Sequence, residues 1–185
     1  KFDIDLMALK NFTENEVNYY KEKYLFVCGS THPGEEEILI DSFIDLNKDN
    51  KHLVLAPRHP ERFGEIKELV NKKNLSNILY TEISSNPNIK SDVTIVDVIG
   101  RLLDFYEIAD CVFIGGTLVD HGGQNFLEPA FFNKPIISGR STYNFDEISK
   151  KLSDLGLLKF VSNKDEISSI VENIEAISDS LKKDT

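Results

Sequence analysis

The chain has 185 residues, of which 41% are hydrophobic and 28% are charged. This length and this balance are typical of one globular domain with its own apolar core, and they exclude a disordered or fibrous chain. The 31 acidic residues outnumber the 21 basic ones, and the resulting formal net charge of −10 argues against a nucleic-acid-binding face and against docking on an anionic membrane.

Two cysteines, Cys28 and Cys111, are too few for a disulfide framework or a four-cysteine zinc site. Both lie in apolar runs, so we expect small buried side chains and a reducing compartment. No run approaches the roughly 20 apolar residues of a membrane-spanning helix, and we expect no signal peptide. Because the chain opens at Lys1 without a methionine, we expect it to be part of a longer protein.

Short apolar runs alternate with longer amphipathic segments along the chain. Residues 1–23 are polar and predict an irregular or helical lead-in. The predicted strands are 24–28, 53–56, 78–80, 93–96, 111–114 and 135–138. The predicted helices are 36–46, 61–70, 101–109, 126–132, 145–155 and a C-terminal helix over 165–181. This alternation predicts an α/β fold, with one Rossmann-like parallel sheet and helices on both faces over residues 1–185.

Ligands of such folds bind beyond the carboxyl ends of the strands, so the loops there are the first place to look for a site. After the first strand, Ser30 and Thr31 either present hydroxyls and amides to a ligand or cap the following helix. The loop has neither a GxGxxG fingerprint nor a GxxxxGK[ST] phosphate loop. An ordinary NAD enzyme and a P-loop NTPase are therefore disfavoured.

Arg58 follows the second strand between two prolines, which stiffen the backbone that carries it. A guanidinium there can pair with a phosphate or carboxylate, and His59 is a weaker candidate for the same role. The alternative is a surface arginine paired with Glu61. In the loop after the fourth strand, Gly100 permits close backbone approach, and Asp97 either caps a helix or contacts a ligand.

The loop after the fifth strand combines four glycines with His121 and then reaches Asn125 and Glu128. The glycines, which let a ligand approach the backbone, are Gly115, Gly116, Gly122 and Gly123. Glu128 is predicted at a helix start beside Asn125, where its carboxylate either accepts two ribose hydroxyls or serves the helix dipole. His121 is either a ligand contact or a solvated loop residue.

Four segments together resemble the C-terminal half of the 3-deoxy-D-manno-octulosonic acid (Kdo) transferases of lipopolysaccharide biosynthesis. They are STHPGEEE at 30–37, APRHPERF at 56–63, DVIGRL at 97–102 and GGTLVDHGGQNFLEPAFFNKPIISG at 115–139. The resemblance covers residues 1 to about 155. It implies the C-terminal half of a GT-B glycosyltransferase, in which two Rossmann-like domains face each other across a cleft.

The resemblance implies inverting transfer of Kdo from CMP-Kdo to a lipid A precursor at the cytoplasmic face of the bacterial inner membrane. The nucleotide contacts that it implies are Pro57, Arg58, Ile99, Gly100, Arg101, Asn125, Phe126, Leu127 and Glu128. Further candidate donor contacts are Ser30, Thr31, His59, Gly115, Gly116, His121, Gly122 and Gly123. The family often has a glutamate at position 101, so the role of the Arg101 side chain stays open, while contacts to its backbone would survive the change.

In this family the general-base glutamate, the acceptor site and the membrane anchor lie in the N-terminal half, which this chain does not contain. We therefore expect a soluble, cytoplasmic donor-binding domain without catalytic residues, inactive alone as a transferase. We expect no cofactor, and no metal, since the Asp3-Ile4-Asp5 sequence follows no strand. Two alternatives stay open: another GT-B donor domain, of a UDP-sugar transferase or UDP-sugar 2-epimerase, and a non-enzymatic interaction module.

Overall fold

A computed structural model describes residues 11–174 of the chain. Seven parallel strands form one sheet in the order β3-β4-β2-β1-β5-β6-β7. The strands are β1 (Tyr24–Thr31), β2 (Lys51–Pro57), β3 (Asn77–Leu79), β4 (Val93–Ile95), β5 (Cys111–Ile114), β6 (Ile136–Ser138) and β7 (Leu158–Phe160). The chain order reverses at β1, which has β2 on one side and β5 on the other.

The helices are α1 (Glu14–Tyr20), α2 (Glu35–Asp45), α3 (Phe63–Lys72), α4 (Tyr80–Ile83), α5 (Leu102–Ile108), α6 (Leu127–Phe131), α7 (Asp146–Asp154) and α8 (Lys164–Glu172). A short 3-10 turn, Pro60–Arg62, precedes α3. None of the helices in the described part of the chain is both long enough and apolar enough to span a membrane.

Alternate side chains of each strand enter two apolar layers, one on each face of the sheet. In β1, Leu25 and Val27 join the layer covered by α1, α4, α5, α6 and α7. Phe26 and Cys28 join the layer covered by α2, α3 and α8. The predicted α/β fold, a parallel sheet with helices on both faces, is confirmed. Both cysteines are free and buried, and burial raises the pKa of each thiol.

Strand β7 at the edge of the sheet was not predicted, because it is only three residues long and has a half-buried lysine, Lys159, at its centre. The lead-in, predicted to be either irregular or helical, contains α1, which begins at a capping box formed by Thr13 and Glu16. Residues 175–181 of the predicted last helix lie outside the described residues.

The start of α2 differs from the capping alternative. Its N-cap is Gly34 with φ of +93°, rather than Ser30 or Thr31. Glycine adopts this left-handed backbone without the steric cost that a Cβ would bring.

Candidate functional site

The carboxyl edge of the sheet brings four of the predicted loops together. They follow β4, β2, β1 and β5, which are neighbours in that order. Because all four strands are parallel, their carboxyl ends meet at one edge, beside the point where the chain order reverses. The predicted site residues therefore share one side of the molecule.

A buried carboxylate occupies the inner part of this edge. Glu35, at the first turn of α2, is fully buried, and it accepts hydrogen bonds from four backbone N–H groups. Three come from the loop after β5, Gly116 (2.8 Å), Thr117 (3.0 Å) and Leu118 (3.0 Å), and the fourth from His32 (2.9 Å). Successive loop amides of this kind bind anions. Because Glu35 occupies these amides, they are not available to a ligand.

The residues at the end of β1 contribute to the fold itself. Ser30 takes φ of +54° where β1 bulges, and the fully buried Thr31 donates its hydroxyl hydrogen bond to Glu36 over 2.9 Å. Arg62 pairs with the same Glu36 at 2.9 Å and with Glu65 at 3.1 Å. The Thr31 hydroxyl and the Arg62 guanidinium thus already have partners inside the protein.

Arg58 differs from Arg62 in having an exposed side chain. Its backbone N–H donates to the Thr31 carbonyl over 2.9 Å, which fixes the loop after β2 to the end of β1. The alternative of an Arg58–Glu61 pair is wrong, because Glu61 lies 3.7 Å from His59 instead. No carboxylate within residues 11–174 pairs with the Arg58 guanidinium, which leaves it available to a ligand.

Two histidines stack on each other at the same edge. The rings of His32 and His121 are 4.2 Å apart at an angle of 19°. His32 is buried and His121 is exposed. Burial lowers the pKa of His32, and His121 acts in the same direction, while the Glu36 carboxylate opposes the shift.

The loop after β4 presents its backbone to solvent. Ile99 is 87% exposed, and Gly100 has φ of +89° with open space where a Cβ would stand. Asp97, offered either as a helix cap or as a ligand contact, accepts hydrogen bonds from the backbone and hydroxyl of Thr81 in α4. Ile99 and Gly100 therefore remain accessible to a ligand.

The Arg101 side chain turns away from this edge. Its guanidinium pairs with Asp104 at 2.8 Å and donates to the Asn11 carbonyl over 2.8 Å. It also lies over the rings of Phe12 and Tyr80, with centroids 4.9 and 5.3 Å away. Arg101 thus fastens the segment before α1 to the start of α5.

Asn125 and Glu128 meet at the start of α6. The Asn125 side-chain amide donates to the Glu128 carboxylate over 3.1 Å, and its oxygen accepts from the Leu127 N–H over 3.0 Å. Phe126 is fully buried and packs against Phe145, which anchors this turn. The Glu128 carboxylate is thereby oriented at the helix start, with Leu127 54% exposed beside it.

Packing within the loop explains several glycines without reference to a ligand. A Cβ on Gly115 would lie 2.2 Å from the Ser30 carbonyl oxygen, and one on Gly122 would lie 2.5 Å from the Tyr143 ring. The sequence predicts that these glycines let a ligand approach the backbone. The contacts that require them come from β1 and from the loop after β6.

The edge is open, and the described residues offer no metal site. Residues 11–174 contain no group of three or more His, Cys, Asp or Glu side chains placed to hold a metal ion. Two shallow surface cavities lie beside α8 and between α2 and α3, and neither includes the predicted nucleotide contacts.

Comparison with known proteins places the chain in a family, although no family model matches it. It is 37% identical over 155 residues to the 3-deoxy-D-manno-octulosonic acid transferase of Haemophilus influenzae, covering 82% of this chain and 36% of the relative. It is 30% identical over 158 residues to the Aquifex aeolicus transferase of the same name, covering 84% and 43%. The chain belongs to the Kdo transferase family.

A second kind of relative in the comparison is a bifunctional enzyme. The chain is 35% identical over 179 residues to a bifunctional glycosyltransferase/methyltransferase of Fusobacterium nucleatum, covering 95% of this chain and 28% of the relative. This member of the Kdo transferase family therefore spans roughly a third of the length of the curated relatives it matches, between 28% and 43% in these three.

Solved structures agree on the fold. The C-terminal CMP-Kdo binding domain of WaaA from Acinetobacter baumannii superposes with a TM-score of 0.82 at 24% identity, over 96% of this chain and 94% of that one. Anabaena HepE in complex with UDP-glucose gives a TM-score of 0.58 at 12% identity, over 98% and 50%. The fold is that of the C-terminal half of a GT-B glycosyltransferase.

Proposed function

We propose that this chain is the donor-binding domain of a Kdo transferase, which holds CMP-Kdo for inverting transfer of Kdo to a lipid A precursor. The observation that carries the proposal is the exposed Arg58 guanidinium at the carboxyl edge, with which no carboxylate within residues 11–174 pairs. It lies outside the amides occupied by Glu35. The family resemblance implies a nucleotide contact at the same residue.

Arg58 binds the CMP phosphate together with the exposed backbone of Ile99 and Gly100. The open space beside Gly100 allows a phosphate to approach its backbone. A charge-assisted hydrogen bond of this kind contributes roughly 1.5–3 kcal/mol. Because negative charge grows on CMP as the bond to the sugar breaks, the same cation stabilises the leaving group.

Glu128 binds the ribose. Its carboxylate accepts hydrogen bonds from the two ribose hydroxyls, and Asn125 holds it in place from three residues earlier. The buried Phe126 keeps this turn rigid. Pro57 and the exposed Leu127 line the nucleotide beside these two polar groups.

The chain alone is inactive as a transferase in this proposal. It covers only 28% to 43% of the length of its relatives. The resemblance assigns the general-base glutamate, the acceptor site and the membrane contact to an N-terminal domain that closes over this edge. The full-length enzyme then works at the cytoplasmic face of the inner membrane.

Calorimetric titration of the chain with CMP, with UMP as the competing nucleotide, tests the donor site. We expect CMP to bind more tightly than UMP. We expect Arg58→Ala and Glu128→Ala each to weaken CMP binding by about tenfold or more, which corresponds to about 1.4 kcal/mol. Lys67→Ala and Glu68→Ala remove exposed charges on α3 and serve as controls with unchanged affinity.

Three outcomes contradict the proposal in different ways. Tighter binding of UMP would favour a UDP-sugar enzyme. Equal CMP affinity in the wild-type chain and both site variants would place the nucleotide elsewhere. Absence of CMP binding by this chain and also by the full-length protein would remove the donor site altogether and favour an interaction module.

A further inference from the structure

Three of the four histidines in the chain lie near Arg58, and the proposed nucleotide contacts leave them unused. They are His32, His59 and His121. One follows Arg58 in sequence, one follows Thr31, whose carbonyl accepts from the Arg58 N–H over 2.9 Å, and the third stacks on the second. We propose that the stacked pair of His32 and His121, with His59 at its rim, forms a subsite for the carboxylate of a nucleotide-activated sugar acid. This inference rests on the proposed function and deepens it.

His32 supplies the first observation. The side chain is buried with 9% exposure, and its Nε2 atom has no hydrogen-bond partner within the described residues. A buried polar atom without a hydrogen-bond partner lowers stability by about 1–3 kcal/mol. Such an atom in a folded protein therefore indicates that a partner is missing. The backbone N–H of the same residue donates to Glu35 over 2.9 Å, which fixes the main chain that carries the ring.

Gly116 packs closely against both histidines. A Cβ on Gly116 would lie 3.3 Å from His32 Nε2 and 3.3 Å from the His121 Cβ, so a side chain at this position would crowd the pair. The exposed His121 ring stacks on His32 from the solvent side. The proposed carboxylate oxygen lies beside His121 and supplies the partner that His32 Nε2 lacks.

The charges around the pair favour an anion. Arg58 and His59 lie close enough to influence the protonation of His32. Two carboxylates of α2 already have partners. Glu35 accepts hydrogen bonds from backbone amides, and Glu36 pairs with Arg62 at 2.9 Å. The Arg58 guanidinium, with which no carboxylate within residues 11–174 pairs, is therefore a cation that this corner offers to an anion.

The sugar acid that the related transferases transfer indicates which anion binds here. An octulosonic acid carries a carboxylate, whereas the sugar of UDP-glucose, bound in the structural neighbour HepE, has none. With the CMP phosphate on Arg58, the carboxylate of the attached sugar acid pairs with the imidazoles. The second phosphate of a nucleoside diphosphate shares this chemistry, and the experiment must separate the two.

Calorimetry with CMP, CDP and freshly prepared CMP-Kdo tests the subsite on the wild-type chain, His121→Ala, His32→Gln and the Lys67→Ala control. We expect CMP-Kdo to bind about tenfold or more tightly than CMP, as one charge-assisted hydrogen bond would provide. The preference should fall at least about fivefold in His121→Ala and His32→Gln and stay unchanged in Lys67→Ala.

Proton uptake provides a second readout that a purely structural role would not change. A bound carboxylate favours the protonated imidazole. The binding enthalpy of CMP-Kdo at neutral pH should therefore depend on the ionisation enthalpy of the buffer, more than that of CMP does. This dependence should shrink in both histidine variants.

The results separate the subsite from the proposed function. CMP binding with the same CMP-Kdo preference in the wild-type and histidine variants would overturn the subsite and leave the donor site standing. A histidine-dependent gain for CDP but not for CMP-Kdo would overturn the carboxylate assignment. Failure of the wild-type chain to bind CMP would overturn the proposed function, and the subsite with it.

Discussion

The Glu35 carboxylate, which lies at a helix start, binds backbone amides as a bound anion does in many other proteins. This carboxylate connects the end of β1 to the loop after β5 through amides that are up to 83 residues away in the chain. Because it is fully buried, the hydrogen bonds are shielded from water. The inner shape of the candidate site therefore depends on one side chain.

Glu35→Ala should lower the free energy of unfolding by about 3 kcal/mol or more, since four N–H groups lose their acceptor in a buried place. Glu35→Gln, which keeps one carbonyl oxygen, should recover part of the loss. Urea unfolding measures both. The control is Glu37→Ala, an exposed carboxylate in the same helical turn, for which we expect a loss of about 0.5 kcal/mol or less. Equal losses for residues 35 and 37 would contradict this role.

The ends of β1 and β5 lie in close contact at the site. Gly115 lies directly against the backbone of Ser30 and Thr31, where no Cβ fits. The bulge in β1 at Ser30 turns that carbonyl toward the neighbouring strand. A change in this contact should propagate to the amides that Glu35 binds.

Gly115→Ala should destabilise the protein by about 2 kcal/mol, because its Cβ would stand 2.2 Å from the Ser30 carbonyl oxygen and the two strand ends would have to separate. Gly64→Ala is the matched control. Gly64 lies in α3 with nothing within 4 Å of its Cβ position, so alanine should stabilise the helix by about 0.5 kcal/mol. Thermal unfolding of the two variants measures the difference, and shifts in the same direction would refute it.

The whole molecule is organised by one sheet that is shared by two apolar layers. Unfolding of either layer would expose the other side of the same strands, so we expect a single cooperative unfolding transition.

One buried histidine makes the free energy of unfolding depend on pH. His52, on β2, accepts from the Thr94 hydroxyl at Nε2 over 2.8 Å and donates from Nδ1 to the Ser91 carbonyl over 3.1 Å, which is an arrangement for a neutral ring.

Burial holds the pKa of His52 well below its ordinary value, and Lys23 acts in the same direction. The unfolded chain takes up a proton at this residue as the pH falls through about 6.5, and the folded chain does not. Stability should therefore be complete above that pH and decrease below it, by up to about 1.4 kcal/mol per pH unit. His32, whose pKa is also lowered, adds to the same trend.

Urea unfolding of the wild-type chain and of His52→Gln between pH 7.5 and 5.5 measures this dependence. The variant, which has no titrating ring at position 52, should be less stable at neutral pH and should lose less stability on acidification. Parallel curves for the two proteins would show that the pH dependence has another source.

The amino-acid sequence by itself determined the elements and the architecture. Runs such as Leu53 to Ala56 are apolar throughout because both of their faces are buried in the sheet. Helix α2 is predicted by the amphipathic spacing of its apolar residues. Both signals are local, so they can be read without knowing the contacts of the folded chain. The exceptions were β7 and α4. Burial of the short edge strand β7 is too incomplete to leave an apolar run, and α4 begins at Tyr80, which was predicted to end a strand.

Only the tertiary structure decided how the candidate site is arranged. In the sequence, Glu35 cannot be distinguished from the other two glutamates of its helical turn. Arg101 resembles a ligand contact, although its hydrogen bond to Asn11 directs the side chain elsewhere. Nothing in the sequence indicates that His32 stacks on His121. These contacts join residues 81 to 90 positions apart in the chain. Hydrogen bonding, burial and ring stacking at such separations exist only after the sheet has brought the strand ends together, which is why the residue types could be predicted and their partners could not.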